Sequence, residues 1–421
     1  MTIMHLELGK SDKGDIAGST GSLRALLVTA TSLAVAPLVV NGLARFAYAL
    51  LLPAMQADLR WSYSQAGAMN TANAAGYLIG ALLTARISAH LGERQLFAIG
   101  VFGTAASLFA CGLTDGMGAL LLLRFTAGLF GAPAFVSGAA IAAREASGMS
   151  RERQSLLIGI YFGGAGLGIA LSSAIVPIVL SDGPQGWRVG WEMLGTASAL
   201  AALLALPAVR GRGKFAESGE QHRQADEQGP PLIWISISYL LFGAGYIAYM
   251  TFIVAYLRGE GFGGDVISAF WTLLGLSCLA AGFGWERLLA RLRGGRQLAV
   301  VLSMCAVGAA APVMIGGLLP VFVSAVLFGA SLTAGPAAVT AFVRRARAPR
   351  LWTANIGRLT VLFGIGQCAG PLMAGIAADG RTGIRFPLQA VERDGLNAGG
   401  HPFLARSQQK VSKTVTSLDP P

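Results

Sequence analysis

The feature that most limits what this chain can fold into is a recurrence. Eleven predominantly apolar runs lie over 25–52, 66–85, 96–113, 119–142, 155–180, 190–209, 232–257, 267–285, 298–316, 318–343 and 353–377. About 20 such residues form a helix that crosses the hydrocarbon core of a bilayer and satisfies its own backbone hydrogen bonds there. Composition agrees: 54% of the residues are hydrophobic and only 13% are charged. That is about half the charge of a typical soluble domain, too little to cover a water-facing surface. A disordered chain, a disulfide scaffold and an ordinary soluble enzyme are thereby excluded. Gly316, Gly317 and Pro320 predict a tight turn between the ninth and tenth runs. The longest internal connector, 210–231, is polar and follows the sixth run. It divides an N-terminal six-helix bundle (25–209) from a C-terminal bundle of five spans (232–377), with tails at 1–24 and 378–421.

The net charge of +11 first suggests an acidic partner, but its placement says otherwise. Alternate connectors carry Arg86 and Arg94; Arg144, Arg151 and Arg153; Arg210, Arg212, Lys214 and Arg223; Arg287, Arg291, Arg293 and Arg296; and Arg344, Arg345, Arg347 and Arg350. Those are 17 basic residues, against 3 (Arg60, Arg188 and Arg258) in the intervening connectors. Cytoplasmic loops retain Lys and Arg, so the first set predicts the cytoplasmic side, together with the N-terminus and its Lys10, Lys13 and Arg24. A nucleic-acid surface would gather its charge on one face beside stacking aromatics; here the charge is scattered over short loops, and no nucleic-acid partner is expected.

Other chemistry finds little support. Cys111, Cys278, Cys305 and Cys368 each sit inside an apolar run and read as core residues. The four His form no metal-binding spacing, so neither a metal nor another cofactor is expected. No His, Ser or carboxylate cluster at one membrane face points to an enzyme. The polar, Gly-rich first 23 residues have no apolar core or cleavage pattern of a signal peptide, which makes the first span a retained anchor.

The two halves echo one another. His90-Leu91-Gly92-Glu93-Arg94-Gln95-Leu96 follows the second run, and Gly294-Gly295-Arg296-Gln297-Leu298 follows the eighth, about 202 residues later. Arg124-Phe125-Thr126-Ala127-Gly128 lies in the fourth run, and Gly159, Gly163, Gly164, Gly166 and Gly168 lie in the fifth. These resemble the RxxxG signature, the Gly-rich fifth helix and the basic loops of the major facilitator superfamily, although no Asp precedes Leu91-Gly92. A closer resemblance is to its YbfB/YjiJ branch. It is carried by Gly42-Leu43-Ala44-Arg45-Phe46-Ala47-Tyr48, Asn73-Ala74-Ala75-Gly76-Tyr77, Tyr161-Phe162-Gly163-Gly164, Gly186-Trp187-Arg188 and Phe363-Gly364-Ile365-Gly366-Gln367, across about 25–383. The resemblance implies an all-α integral membrane fold of two six-helix bundles and a proton- or gradient-driven transporter; it implies no substrate. The chain departs from the pattern after Arg385. No apolar stretch of about 18 residues follows, and Glu392, Arg393, Asp394, Arg406, Lys410 and Lys413 are costly in a bilayer, about 2.5–3.5 kcal/mol each. The twelfth helix is expected to be missing or replaced, leaving about 11 spans. The six basic residues of the tail favour a frameshifted or truncated ancestral helix over a native external tail.

Intramembrane charge is expensive and therefore marks function. Arg45, Arg124 and Arg358 lie within runs, and no Asp or Glu lies deep in any run. At 1.5 Å per residue, Arg45 is about 10 Å and Arg124 about 8 Å from the same side. The resemblance puts the first and fourth helices on a central cavity. Two cations without an acidic partner would there bind an anion, a carboxylate above all, which matches the guanidinium fork. Arg358 is a candidate inner gate or second contact. The alternative for all three is snorkelling to the headgroups. Asn70, Asn73, Tyr48, Tyr161, Tyr246, Tyr249 and Gln367 are polar candidates that could equally make helix–helix hydrogen bonds. Tyr246 is the counterpart of Arg45 in the second half, at an offset of 201, which makes the expected cavity charged on one wall and aromatic on the other. The reading is a secondary transporter, in the bilayer of the inner membrane, of a small organic solute with an organic anion as the leading class. A proton is the candidate coupling ion, with Glu192 near the outer mouth or the substrate's own charge as alternatives. A truncated membrane protein that no longer transports is the competing reading.

Overall fold

The computed structural model describes residues 12–180, 183, 185–210, 232–292, 295–348 and 351–380. The central connector over 211–231 and the tail over 381–421, with the question of a twelfth helix, lie outside the described residues, as do the first 11 residues. Everything described is helix or short connection, and no strand occurs among the described residues.

The first pass is α1 (Asp12–Pro37), a π-helical segment (Leu38–Phe46) and α2 (Tyr48–Leu59). The next five are α3 (Tyr63–Leu91), α4 (Glu93–Gly112), α5 (Met117–Ala146), α6 (Arg151–Leu180) and α7 (Gly186–Leu204) with the short α8 (Leu206–Arg210). The last five are α9 (Ile233–Gly259), α10 (Gly264–Arg291), α11 (Arg296–Met314), α12 with α13 (Leu318–Ser331, Ala334–Ala346) and α14 (Trp352–Asp379). Ten of these eleven passes are long and apolar enough to cross a membrane; in α7, which packs against α4, Arg188 and Glu192 dilute the apolar run.

Local chemistry sets the breaks. Ser62 and Gln65 form a reciprocal capping box at the start of α3. Gly316 and Gly317 take φ of +69° and +81° in the predicted turn between α11 and α12, a region that L side chains avoid. The tenth run does not form one continuous helix. It breaks at Leu332–Thr333, because Pro336 has no N–H to return to the fourth residue before it and its ring crowds that carbonyl. The first run also differs from expectation in two ways. It continues to Leu59, which places Arg45 14 residues from that end, about 21 Å rather than 10 Å. It also contains the π segment, where the N–H of Ala47 donates to the carbonyl of Gly42 at 3.1 Å. Such segments carry an extra residue per turn and recur at functional sites.

The two sets of passes meet along α3–α14, α6–α10 and α2–α9. The α6–α10 crossing is backbone-tight: a side chain at Gly166 would collide with Gly275 and Leu279, and one at Gly275 with Gly166 and Ala170. On the face opposite the basic connectors the halves are bound together. Asp379 accepts from the N–H groups of Tyr63 and Ser64 at 2.7 and 2.8 Å, and Tyr63 packs edge-on against Phe252. Toward the basic face α3 and α14 part. Gly364 meets Leu78, but Gly357, two turns nearer that face, has open space around it, and Leu82 is 59% exposed.

Candidate functional site

The π segment and α5 bring two arginines into the middle of the protein. Arg45 is 4% exposed and Arg124 is fully buried, so neither snorkels. The Arg45 Nε donates to Asn73 Oδ1 at 3.1 Å, and its Nη1 donates to Gln367 Oε1 at 3.3 Å. Its guanidinium carbon lies 4.6 Å from the centre of the Tyr77 ring. Gln367 in turn donates through Nε2 to the Tyr246 hydroxyl at 2.5 Å. The sequence counterparts Arg45 and Tyr246 therefore face each other across the halves, joined by one glutamine of α14.

Arg124 is held differently. Its Nη1 donates to the carbonyl of Ala44, and its Nη2 to Asn70 Oδ1 at 3.0 Å. Tyr48 and Trp191, stacked on each other, lie 5.3 and 5.1 Å from its guanidinium carbon. Asn70 then donates through Nδ2 to Thr251 Oγ1 on α9, at 2.7 Å. Asn73 also donates to the backbone carbonyl of Arg124, at 3.2 Å. Among the described residues neither arginine has a carboxylate partner. Two guanidinium groups in electrostatic reach of each other repel. The Arg45 Nη2 and the Arg124 Nε are buried with no hydrogen-bond partner. A buried donor left unpaired costs about 1–3 kcal/mol, more when charged. The arrangement is a preformed cationic site with an unused donor.

The other sequence candidates divide. Tyr48, Asn73, Tyr246 and Gln367 join this network. Tyr161 does not: its hydroxyl donates to the carbonyl of Phe135, a helix-to-helix bond inside the first half. Tyr249 does not either; its hydroxyl pairs with Ser324 and its ring lies on Phe328. Arg358 is exposed. Nine residues separate it from Gln367, a half-turn out of phase at about 100° per residue, so it points away from the network. Glu192 is half-buried beside Gly112 of α4, outside the network.

Several contributors escaped sequence reasoning. Tyr77 could have been found: Asn70, Asn73 and Tyr77 fall at i, i+3 and i+7 on one face of α3. Trp191, Thr251 and Phe363 carried no local signal, since only the packing of separate passes brings them in. The basic-face ion pairs were also hidden. Glu93 pairs with Arg144, and Arg94 pairs with Glu145 at 2.9 Å and donates to the carbonyl of Ala208. The acidic residue absent before Leu91-Gly92 is thus supplied directly after it.

A family model described as "Uncharacterised MFS-type transporter YbfB" matches residues 19–392. Comparison with curated proteins found no match. Among solved structures, the chain is similar to the nucleoside transporter NupG, with 15% identity, a TM-score of 0.62, and coverage of 85% of this chain and 90% of that one. It is also similar to a bacterial homolog of the human lysosomal transporter Spinster in an inward-facing, occupied conformation, with 17% identity, a TM-score of 0.60, and coverage of 85% and 82%. A third is the human organic anion transporter MFSD10, with 18% identity, a TM-score of 0.53, and coverage of 85% and 93%. At these identities the likenesses establish the fold.

Proposed function

The chain belongs to the MFS-type transporter family described for YbfB, and on that premise we propose that it is a secondary transporter of a small organic anion, working by alternating access in the inner membrane. The observation that carries the anion is the Arg45 Nη2, buried, charged and unpartnered at the crossing of the two halves, with a second guanidinium nearby and no carboxylate among the described residues to neutralise either. A carboxylate placed there satisfies the donor and offsets the repulsion in a low-dielectric setting. The positive-inside distribution supports a cytoplasmic basic face, and on that reading the described conformation is closed outward and parted inward. Opening outward requires breaking the Arg45–Gln367, Asn70–Thr251 and Asp379–α3 bonds, each of which links the halves. The buried network contains no titratable carboxylate, so the substrate's own charge is the coupling we favour, with a proton as the alternative coupling ion.

Uptake into proteoliposomes tests this reading. Wild type should accumulate at least one monocarboxylate from a panel, in proportion to an imposed membrane potential. Arg45→Gln should lower that uptake at least tenfold while the protein remains monodisperse. Equal uptake by wild type and Arg45→Gln would remove the anion site.

A further inference from the structure

We infer that the anion is an aromatic monocarboxylate, bound head-first, with its carboxylate on Arg45 and its ring between two aromatic walls; this rests on the anion reading of the site. The single headgroup follows from the donors. Arg124 is enclosed: its Nη groups are spent on Ala44 and Asn70, and Tyr48 and Trp191 cover its guanidinium. Of the two unpartnered nitrogens, the Arg124 Nε belongs to that fully buried, ring-covered guanidinium, whereas Arg45 presents its Nη2 beside the second half, while its Nη1 holds the displaceable Gln367 amide. A carboxylate that replaces Gln367 there gains the two parallel bonds of the guanidinium fork, and a second carboxylate would find no second fork.

The aromatic body follows from what surrounds that donor. On the α9–α14 side, Phe363 stacks with Tyr239 (centroids 4.5 Å apart, planes at 11°), with Tyr246 (5.5 Å, 4°) and with Phe242 (5.7 Å, 23°). Four rings on two helices thus form one stacked aromatic cluster, of which Phe363 is the half-buried member and Tyr239, Phe242 and Tyr246 the buried support. On the other side Tyr77, against Arg45, leads to Phe135 at 6.4 Å, which touches Phe162 at 6.0 Å. Tyr77 and Phe363 are the immediate neighbours of Leu78 and Gly364, which touch, whereas Gly357, two turns nearer the basic face, has open space around it. Tyr77, Phe135, Phe162 and Phe363 are all only half-buried. Half-buried aromatic surface therefore lies on both sides of the Arg45 network, Tyr77 against the guanidinium and Phe363 against the Tyr246 that Gln367 holds. A planar ring gains offset stacking on such walls, whereas a polyhydroxylated acid would lose water from hydroxyls that the ring faces cannot replace.

Equilibrium binding of radiolabelled benzoate to the purified full chain, with unlabelled competitors, tests the proposal. Benzoate should bind at least tenfold tighter than acetate or benzamide, and citrate should not compete at tenfold higher concentration. Phe363→Leu, which keeps apolar volume but removes the ring face, should reduce the benzoate-to-acetate preference to under threefold; Tyr77→Leu does the same from the opposite wall if the first variant fails to fold. Equal affinity for benzoate and acetate, both lost in Arg45→Gln, would overturn the aromatic assignment and leave the anion site standing. Carboxylate binding unaffected by Arg45→Gln would overturn both, whereas acetate binding without benzoate binding would overturn the aromatic assignment alone. Full preference retained in both Leu variants would overturn the role of the walls and the proposal with it.

Discussion

Arg45 and Arg124 carry the same charge in one buried network, yet they are held differently. Arg45 has a free nitrogen and touches the second half; Arg124 is boxed in and orients Asn70 toward Thr251. Removing Arg124 takes a donor from the carbonyl of Ala44 and from the buried oxygen of Asn70. At about 1–3 kcal/mol for each of the two contacts, Arg124→Leu should lose about 2–6 kcal/mol of stability, read as a fall in Tm by tryptophan fluorescence in detergent. Conservative replacement of the carboxylate contact, Arg45→Lys, should instead leave Tm within a few degrees and weaken anion binding, because a point charge replaces the fork. Arg358→Ala should change uptake by less than twofold, since that side chain is exposed on the far side of α14 from Gln367. The three arginines were visible in the sequence as intramembrane charges. Their different settings were not, because partner and exposure depend on which helices pack together.

At the scale of the element, the glycines explain how helices come close enough for short side chains to meet. Gly166 and Gly275 let α6 and α10 cross at backbone contact, near the Ser173–Thr272 and Trp271–Ser172 hydrogen bonds. Gly166→Leu should therefore separate the halves and abolish the monodisperse peak in size-exclusion chromatography. Gly245→Ala, where nothing lies within 4 Å, should remain within about 0.5 kcal/mol of wild type. The fifth-helix glycines were legible as a close-approach signature, and the Gly316–Gly317 turn as a pair of positive-φ residues. The π segment was not legible. Its cause is a combination of Pro37 at its start and packing of Gly42 against Gly168, and the second of these is a long-range fact. Without that wide turn the Arg45 side chain would leave the helix at a different angle.

For the whole molecule, the contacts between halves decide which face is closed. Asp379 caps the first turn of α3 from the end of α14, where a negative charge complements the helix N-terminus. Asp379→Ala should loosen that face. In a background without native cysteines, Thr71→Cys should then react several-fold faster with a membrane-impermeant maleimide applied outside, whereas an unchanged rate would show that the cap does not hold the closure. The side assignment is tested independently by a reporter active only in the cytoplasm, inserted between residues 210 and 232, which should be active. The sequence by itself determined the fold class and the passes seen among the described residues, because desolvation of a polar residue in lipid is a local cost that each run reveals alone. It also predicted a sidedness, since retained positive charge is counted loop by loop, and it marked the buried arginines as expensive. Only the tertiary structure decided which arginine reaches the second half, which tyrosines face it and which tie helices together. Those outcomes depend on hydrogen bonds and ring contacts between residues up to 322 positions apart, as for Arg45 and Gln367, and no local pattern encodes such a pairing.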